Sequence, residues 1–221
     1  MVPFVLSLGY LVARGVPELS WELLTELLRG MGLAVLGLGL SIPLGLAAGI
    51  YLSEYASENL FTRLVHLGVI QLAAVPTVGH AFFGFSAFVL FFKLGTGVLA
   101  ASLTLAVMGL PMMIVATHES LKAVPRGFRE VSWNLGATRW QTLRQVVLPL
   151  ATRGILTGVI LEVSRVAGVA VPLMLAVAWL YEPLSTAVPP YGAALFLLAL
   201  AVFLNGLLMA VRARLRSVTK W

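Results

Sequence analysis

Between Glu119 and Arg153 the chain carries Lys122, Arg126, Arg129, Arg139, Arg144 and Arg153 against only Glu119 and Glu130, and apolar runs lie on either side. A long polar, basic interruption of this kind must sit in water or against another protein. Around it, 60% of the 221 residues are hydrophobic and 11% charged, with a mean hydropathy of +0.98. That is more apolar sequence than a soluble core needs, and it predicts an all-α polytopic membrane protein. The whole of 1–221 reads as one transmembrane domain, with 119–149 a loop inside it; neither a soluble domain nor a low-complexity segment is visible.

Within the interruption the signals read helix, turn, helix. Pro125 suits the first turn of a helix, and Phe128, Val131 and Leu135 make a narrow apolar stripe. Gly136 stands where a helix ends in a left-handed residue. Thr138 with Gln141 forms a capping box for a second helix, whose Trp140, Leu143 and Val147 share a face until Pro149 stops it. On physics alone two partners remain open for this loop. One is an anionic lipid surface, where each Lys or Arg contributes about 1 kcal/mol; the other is a protein.

Taken in order, residues 2–13 are apolar but too few for a bilayer that needs roughly 20 helical residues, and they read as an incomplete first membrane helix. An amphipathic stretch follows from Glu18 to Arg29. The first full span runs from Met31 to about Leu52, softened at Pro43, with Gly37, Gly45 and Gly49 letting a neighbouring helix come close. Residues 64–92 are interrupted at Val75-Pro76-Thr77, a break tolerated only where protein or a water-filled cavity satisfies the freed groups. Further spans cover about 97–117, about 150–180 with Pro172 ending its regular part, and about 191–211. That makes five transmembrane helices, or six with the N-terminal one completed.

With the central loop and the C-terminal tail in the cytoplasm, that side holds eleven of the fifteen Lys and Arg residues. The other side keeps Arg14, Arg29 and Lys93, so the positive-inside rule sets the orientation. The net charge of +6 accompanies no RNA- or DNA-binding motif, which argues against a nucleic-acid partner. There is no cysteine for disulfides or thiolate chemistry, and no phosphate loop for ATP hydrolysis. His66, His80 and His118 lack metal-ligand spacing, and no serine has a nucleophile's context. The chain reads as a non-catalytic subunit without a cofactor.

Two charges inside a span stand apart, because burying them in the bilayer is expensive. Glu162 and Arg165 lie at i, i+3 and can pair with each other. They serve either as a structural lock between helices, or as a device in which Glu162 holds Arg165 to present positive potential to a passing anion. Pro76 and Thr77 add a helix break beside such a path.

The spacing Glu130, Val131, Ser132, then Gly136, then Leu148-Pro149 nine residues and two further on resembles the EAA loop of MetI-like ABC importer permeases. More of the chain, including Gly15-Val16-Pro17-Glu18-Leu19-Ser20-Trp21, Ile50-Tyr51-Leu52-Ser53-Glu54-Tyr55, Ala74-Val75-Pro76-Thr77 and Leu135-Gly136-Ala137-Thr138-Arg139-Trp140, is similar to the PstA-type permeases of bacterial phosphate transporters. The resemblance implies an inner-membrane type I importer fold whose loop docks on a separate ATP-binding cassette ATPase through Glu130, Ser132, Gly136, Ala137, Leu148 and Pro149. It further implies a second, PstC-like permease subunit, an extracytoplasmic phosphate-binding protein, and a substrate path near Arg165, Glu162, Pro76 and Thr77. One departure bears on the substrate: where the family carries a glutamate after Gly168, this chain has Val169. A permease of the same fold for another oxyanion or small solute, or a passive channel or membrane scaffold, is the alternative.

Overall fold

The computed structural model describes residues 9–181 apart from 11, 15, 19–20 and 96, together with 199, 203, 206 and 210. Among the described residues helices predominate and there is no strand. After a 3-10 turn at Val16–Glu18 come α1 (Trp21–Ile50), α2 (Leu60–Ala74), α3 (Thr77–Gly84), α4 (Val98–Lys122), α5 (Arg126–Asn134), α6 (Arg139–Thr142) and α7 (Leu148–Tyr181). Three π-helical turns extend or join them: Tyr51–Tyr55 after α1, Phe85–Phe91 after α3 and Leu143–Val147 between α6 and α7. Three helices are long and apolar enough to cross a membrane, Val35–Tyr55, Val98–Lys122 and Arg139–Val166; α2 and α3 with its π turn make a fourth span if counted as one, bent by 102° at the break. The span expected at 191–211 and the basic tail lie outside the described residues.

The chain divides into two units, Leu36–Val163, and Met1–Val35 with Ser164–Trp221. In the first, α4 is the central helix. Small residues let its neighbours come close. A Cβ on Gly37 would stand 2.8 Å from the Leu105 Cβ, one on Gly49 would stand 2.6 Å from the Thr117 Cβ, and one on Gly45 would run into the Met113 Cβ. With Ser41 between them, these residues form a four-residue repeat of small side chains on α1, the pattern that brings membrane helices into backbone contact. On another side of α4, Gly154 and Gly158 of α7 take Ser120 and Ala116, and Gly84 takes Thr104. The core gathers where these helices meet the loop: Leu121, Val124, Leu143, Val147, Ala151 and Ile155 are buried, with Leu46, Ile50 and Leu148 packed against them.

Several expectations are corrected. Pro43 sits inside an unbroken helix, and Pro172 does not end α7, which runs on to Tyr181. Each missing N–H costs one helical bond, but neighbouring groups in a bundle absorb the break. Pro149 likewise does not stop the second loop helix. The π turn at Leu143–Val147 carries the helix directly into α7, so Arg139–Val166 is one continuous rod, and the proline's missing N–H costs that rod one backbone hydrogen bond without ending it. Pro76, by contrast, breaks the chain as expected.

Candidate functional site

The interruption folds as its turn chemistry dictates. Pro125 is extended at ψ 140° and leads directly into α5. At the other end Gly136 has φ +83°, a left-handed conformation that penalises any side chain. Its N–H donates to the Trp133 carbonyl at 2.9 Å, and the Ala137 N–H to that of Ser132 at 3.1 Å, closing the helix end. Thr138 Oγ1 accepts from the Gln141 N–H at 3.3 Å while the Gln141 Oε1 accepts from the Thr138 N–H at 2.8 Å, the reciprocal box that starts α6. Ser132 Oγ donates back to the Phe128 carbonyl at 2.8 Å.

These turns leave several large apolar side chains in solvent on a charged segment. Phe128, Val131, Trp133, Leu135 and Trp140 are all exposed large hydrophobic residues. Exposed apolar side chains on a polar helix pair are the kind of surface that partners bind. Glu130 lies beside these side chains and lines a groove of about 590 Å³ with Glu54, Arg126, Arg129 and Arg139. Leu148 packs on the core beneath, and Pro149 is exposed.

Two residues without a sequence signal fix the segment in place. Arg129 of α5 donates from Nη2 to Glu54 Oε1 at 2.7 Å and from Nε to Glu54 Oε2 at 3.3 Å. Its Nη1 reaches the Val124 carbonyl at 2.8 Å and Nη2 the Leu121 carbonyl at 2.9 Å. The Leu121 carbonyl lies in the last turn of α4 and that of Val124 just beyond it, where the chain runs out of helical donors. One guanidinium thus ties together the π turn after α1, the end of α4 and α5. Their separation of 75 residues hides the pair from any local pattern.

The second predicted cluster is distributed differently. Glu162 is fully buried, and its carboxylate packs against the backbone of Gly109, on the spot where a Cβ would stand, with Ser41 alongside. Helices α1, α4 and α7 therefore meet at this acid. Ser41 Oγ is buried with no hydrogen-bond partner among the described residues. Arg165, three residues further along α7, is half-buried and falls in the other unit. At the α2–α3 break Pro76 is exposed and Thr77 half-buried. The Pro76 carbonyl accepts from the Gly79 N–H at 2.9 Å, and the buried His80 places its Nδ1 3.4 Å from the same oxygen.

Comparison with known proteins agrees with this architecture. Among curated relatives are the phosphate transport system permease protein PstA of Mycobacterium leprae, 33% identical over 199 residues covering 81% of this chain and 64% of that one, and PstA of Yersinia pestis, 30% identical over 178 residues covering 74% and 60%. The probable ABC transporter permease protein YqgI of Bacillus subtilis is 30% identical over 180 residues, covering 75% and 61%. The chain thus spans about three fifths of the length of these relatives. Among solved structures, a chain of the inward-facing MetNI methionine ABC transporter superposes with a TM-score of 0.73 at 20% identity, covering 90% of this chain and 97% of that one. A chain of an amino acid ABC transporter crystallised with histidines gives 0.67 at 15%, covering 87% and 94%. At these identities the structural likeness shows the fold alone. The sequence profile of the binding-protein-dependent transport system inner membrane component matches residues 41–217, and the chain belongs to that family of ABC transporter permeases.

Proposed function

We propose that this chain is the PstA-like permease subunit of an ATP-driven phosphate importer. It forms half of a translocation path with a second permease subunit, takes phosphate delivered by an extracytoplasmic binding protein, and carries the 119–149 loop and the C-terminus on the cytoplasmic side, where ATPase subunits dock. The observation that carries the reading is the loop itself: an apolar surface of Phe128, Val131, Leu135 and Trp140 on a basic helix pair, clamped to the spans through Arg129 and Glu54. Adsorption to lipid needs no such clamp. A lever driven by another protein does. Support for phosphate comes from relatives of that name at 30–34% identity. Docking is assigned to Glu130, Ser132, Gly136, Ala137, Leu148 and Pro149, and the path to Arg165, Glu162, Pro76 and Thr77.

A second reading, a permease of the same fold for another oxyanion, is favoured by Val169 in place of an acid. ATP-dependent uptake of labelled phosphate into vesicles holding the assembled complex, challenged with excess arsenate, sulfate and molybdate, separates the two. Uptake competed by arsenate alone is the expected result. ATP turnover without phosphate uptake would retain the importer and retire this substrate.

A further inference from the structure

His66 of α2 and His118 near the end of α4 are 52 residues apart in sequence, yet His66 Nε2 lies 3.0 Å from His118 Nδ1. Their rings stand 4.2 Å apart between centroids, tilted by 45°. The same His118 Nδ1 is 3.4 Å from Glu119 Oε1. One ligand atom from each of the three residues lies within 4.8 Å of the other two. A single ring hydrogen shared between two acceptors satisfies this convergence weakly, whereas a cation at its centre satisfies all three groups.

Two of the separations, 3.0 and 3.4 Å, suit such an ion. Donor atoms on bonds of about 2.0–2.1 Å at a tetrahedral angle stand roughly 3.4 Å apart. Two neutral imidazoles and one carboxylate are a ligand set for borderline divalent metals, not for Mg²⁺ or Ca²⁺, which take oxygen ligands. The accessibility also fits: His118 is buried and His66 half-buried, so the site is shaped, while Glu119 is exposed and gives an ion a way in. Lys122, one turn beyond His118 on α4, is electrostatically coupled to it and is the cation that opposes binding; the Glu119 carboxylate offsets it.

We propose that His66, His118 and Glu119 hold a divalent ion of the Zn²⁺ class, with water completing its coordination. The ion ties α2 to α4 one turn before α4 hands over to the loop. No spacing signal announces the site, because its ligands come from two helices.

The test uses the assembled complex extracted in detergent through a streptavidin-binding tag, so that no polyhistidine competes, and stripped with chelator. Zn²⁺ is titrated while bound metal is counted by atomic emission and thermal unfolding is followed, with Mg²⁺ in parallel. One zinc per chain is expected beyond that of a His66→Gln, His118→Gln variant, with an affinity at least about tenfold lower in either single variant. Zn²⁺, not Mg²⁺, raises the melting temperature of the parent chain, and the rise is lost in the variants. Equal zinc uptake and equal melting shifts in parent and variants would overturn the proposal. If the histidine variants do not assemble, Glu119→Gln at its exposed position decides: weakened zinc binding supports the site, and unchanged binding overturns it.

Discussion

Arg129 and Glu54 form a two-pronged ion pair, 2.7 and 3.3 Å, with both side chains largely shielded from solvent at 12% and 14% exposure. Because the same guanidinium also holds the carbonyls of Leu121 and Val124, it is the joint between the loop and the membrane helices. Arg129→Ala removes four hydrogen bonds and strands a shielded carboxylate, which should cost about 3 kcal/mol. Arg129→Lys keeps the charge but not the planar fork, so it should restore only part of the melting temperature of the detergent-extracted complex. Full recovery by lysine would reduce the contact to simple charge balance.

The docking assignment predicts that Glu130→Lys together with Gly136→Pro leaves the protein in the membrane but abolishes transport. Proline cannot adopt φ +83°, so the turn between α5 and α6 must reorganise. Vesicle uptake and co-purification of ATPase subunits read the two halves of this statement separately. Normal uptake by the double variant would sink the docking claim.

Glycines on α1 divide into those that touch α4 and those that do not. Gly49→Ala places a methyl 2.6 Å from the Thr117 Cβ and 2.9 Å from the Ile114 carbonyl, and should destabilise the protein by about 1–3 kcal/mol. Gly39→Ala meets nothing within 4 Å and should be neutral or stabilise by up to about 1 kcal/mol through helix propensity. Melting curves of the two variants should therefore move in opposite directions or diverge by several degrees.

For the path, Arg165→Ala should lower phosphate uptake by roughly tenfold or more, the scale of a lost charge-assisted hydrogen bond, while ATPase subunits remain bound. Unchanged uptake assigns Arg165 a structural part only. Glu162→Gln tests the neighbouring acid in the same assay and should likewise slow uptake, because the buried carboxylate sits where α1, α4 and α7 meet.

Local chemistry made much of this architecture readable in advance. The Gly136 turn, the Thr138–Gln141 box, the break at Pro76 and the close-packing glycines at 37, 45 and 49 each depend on residues near in sequence, and each is found in place. Prolines 149 and 172 misled for the opposite reason: a helix stop is a local penalty, and a packed bundle with a π turn outweighs it. Glu54 with Arg129, and His66 with His118, were invisible because they meet only after the helices have packed. Chemistry across two elements leaves no period in the chain.

The run from Arg139 to Val166 without a loop has a mechanical meaning. At 1.5 Å per residue, Trp140 and Glu162 are roughly 33 Å apart along one shaft. A rigid rotation of that shaft would turn the exposed indole and the buried acid together. The extra residue in the π turn at Leu143–Val147 sets the angular phase between the two ends, so deleting a single residue there would turn the indole about 100° relative to the acid while leaving both helices intact.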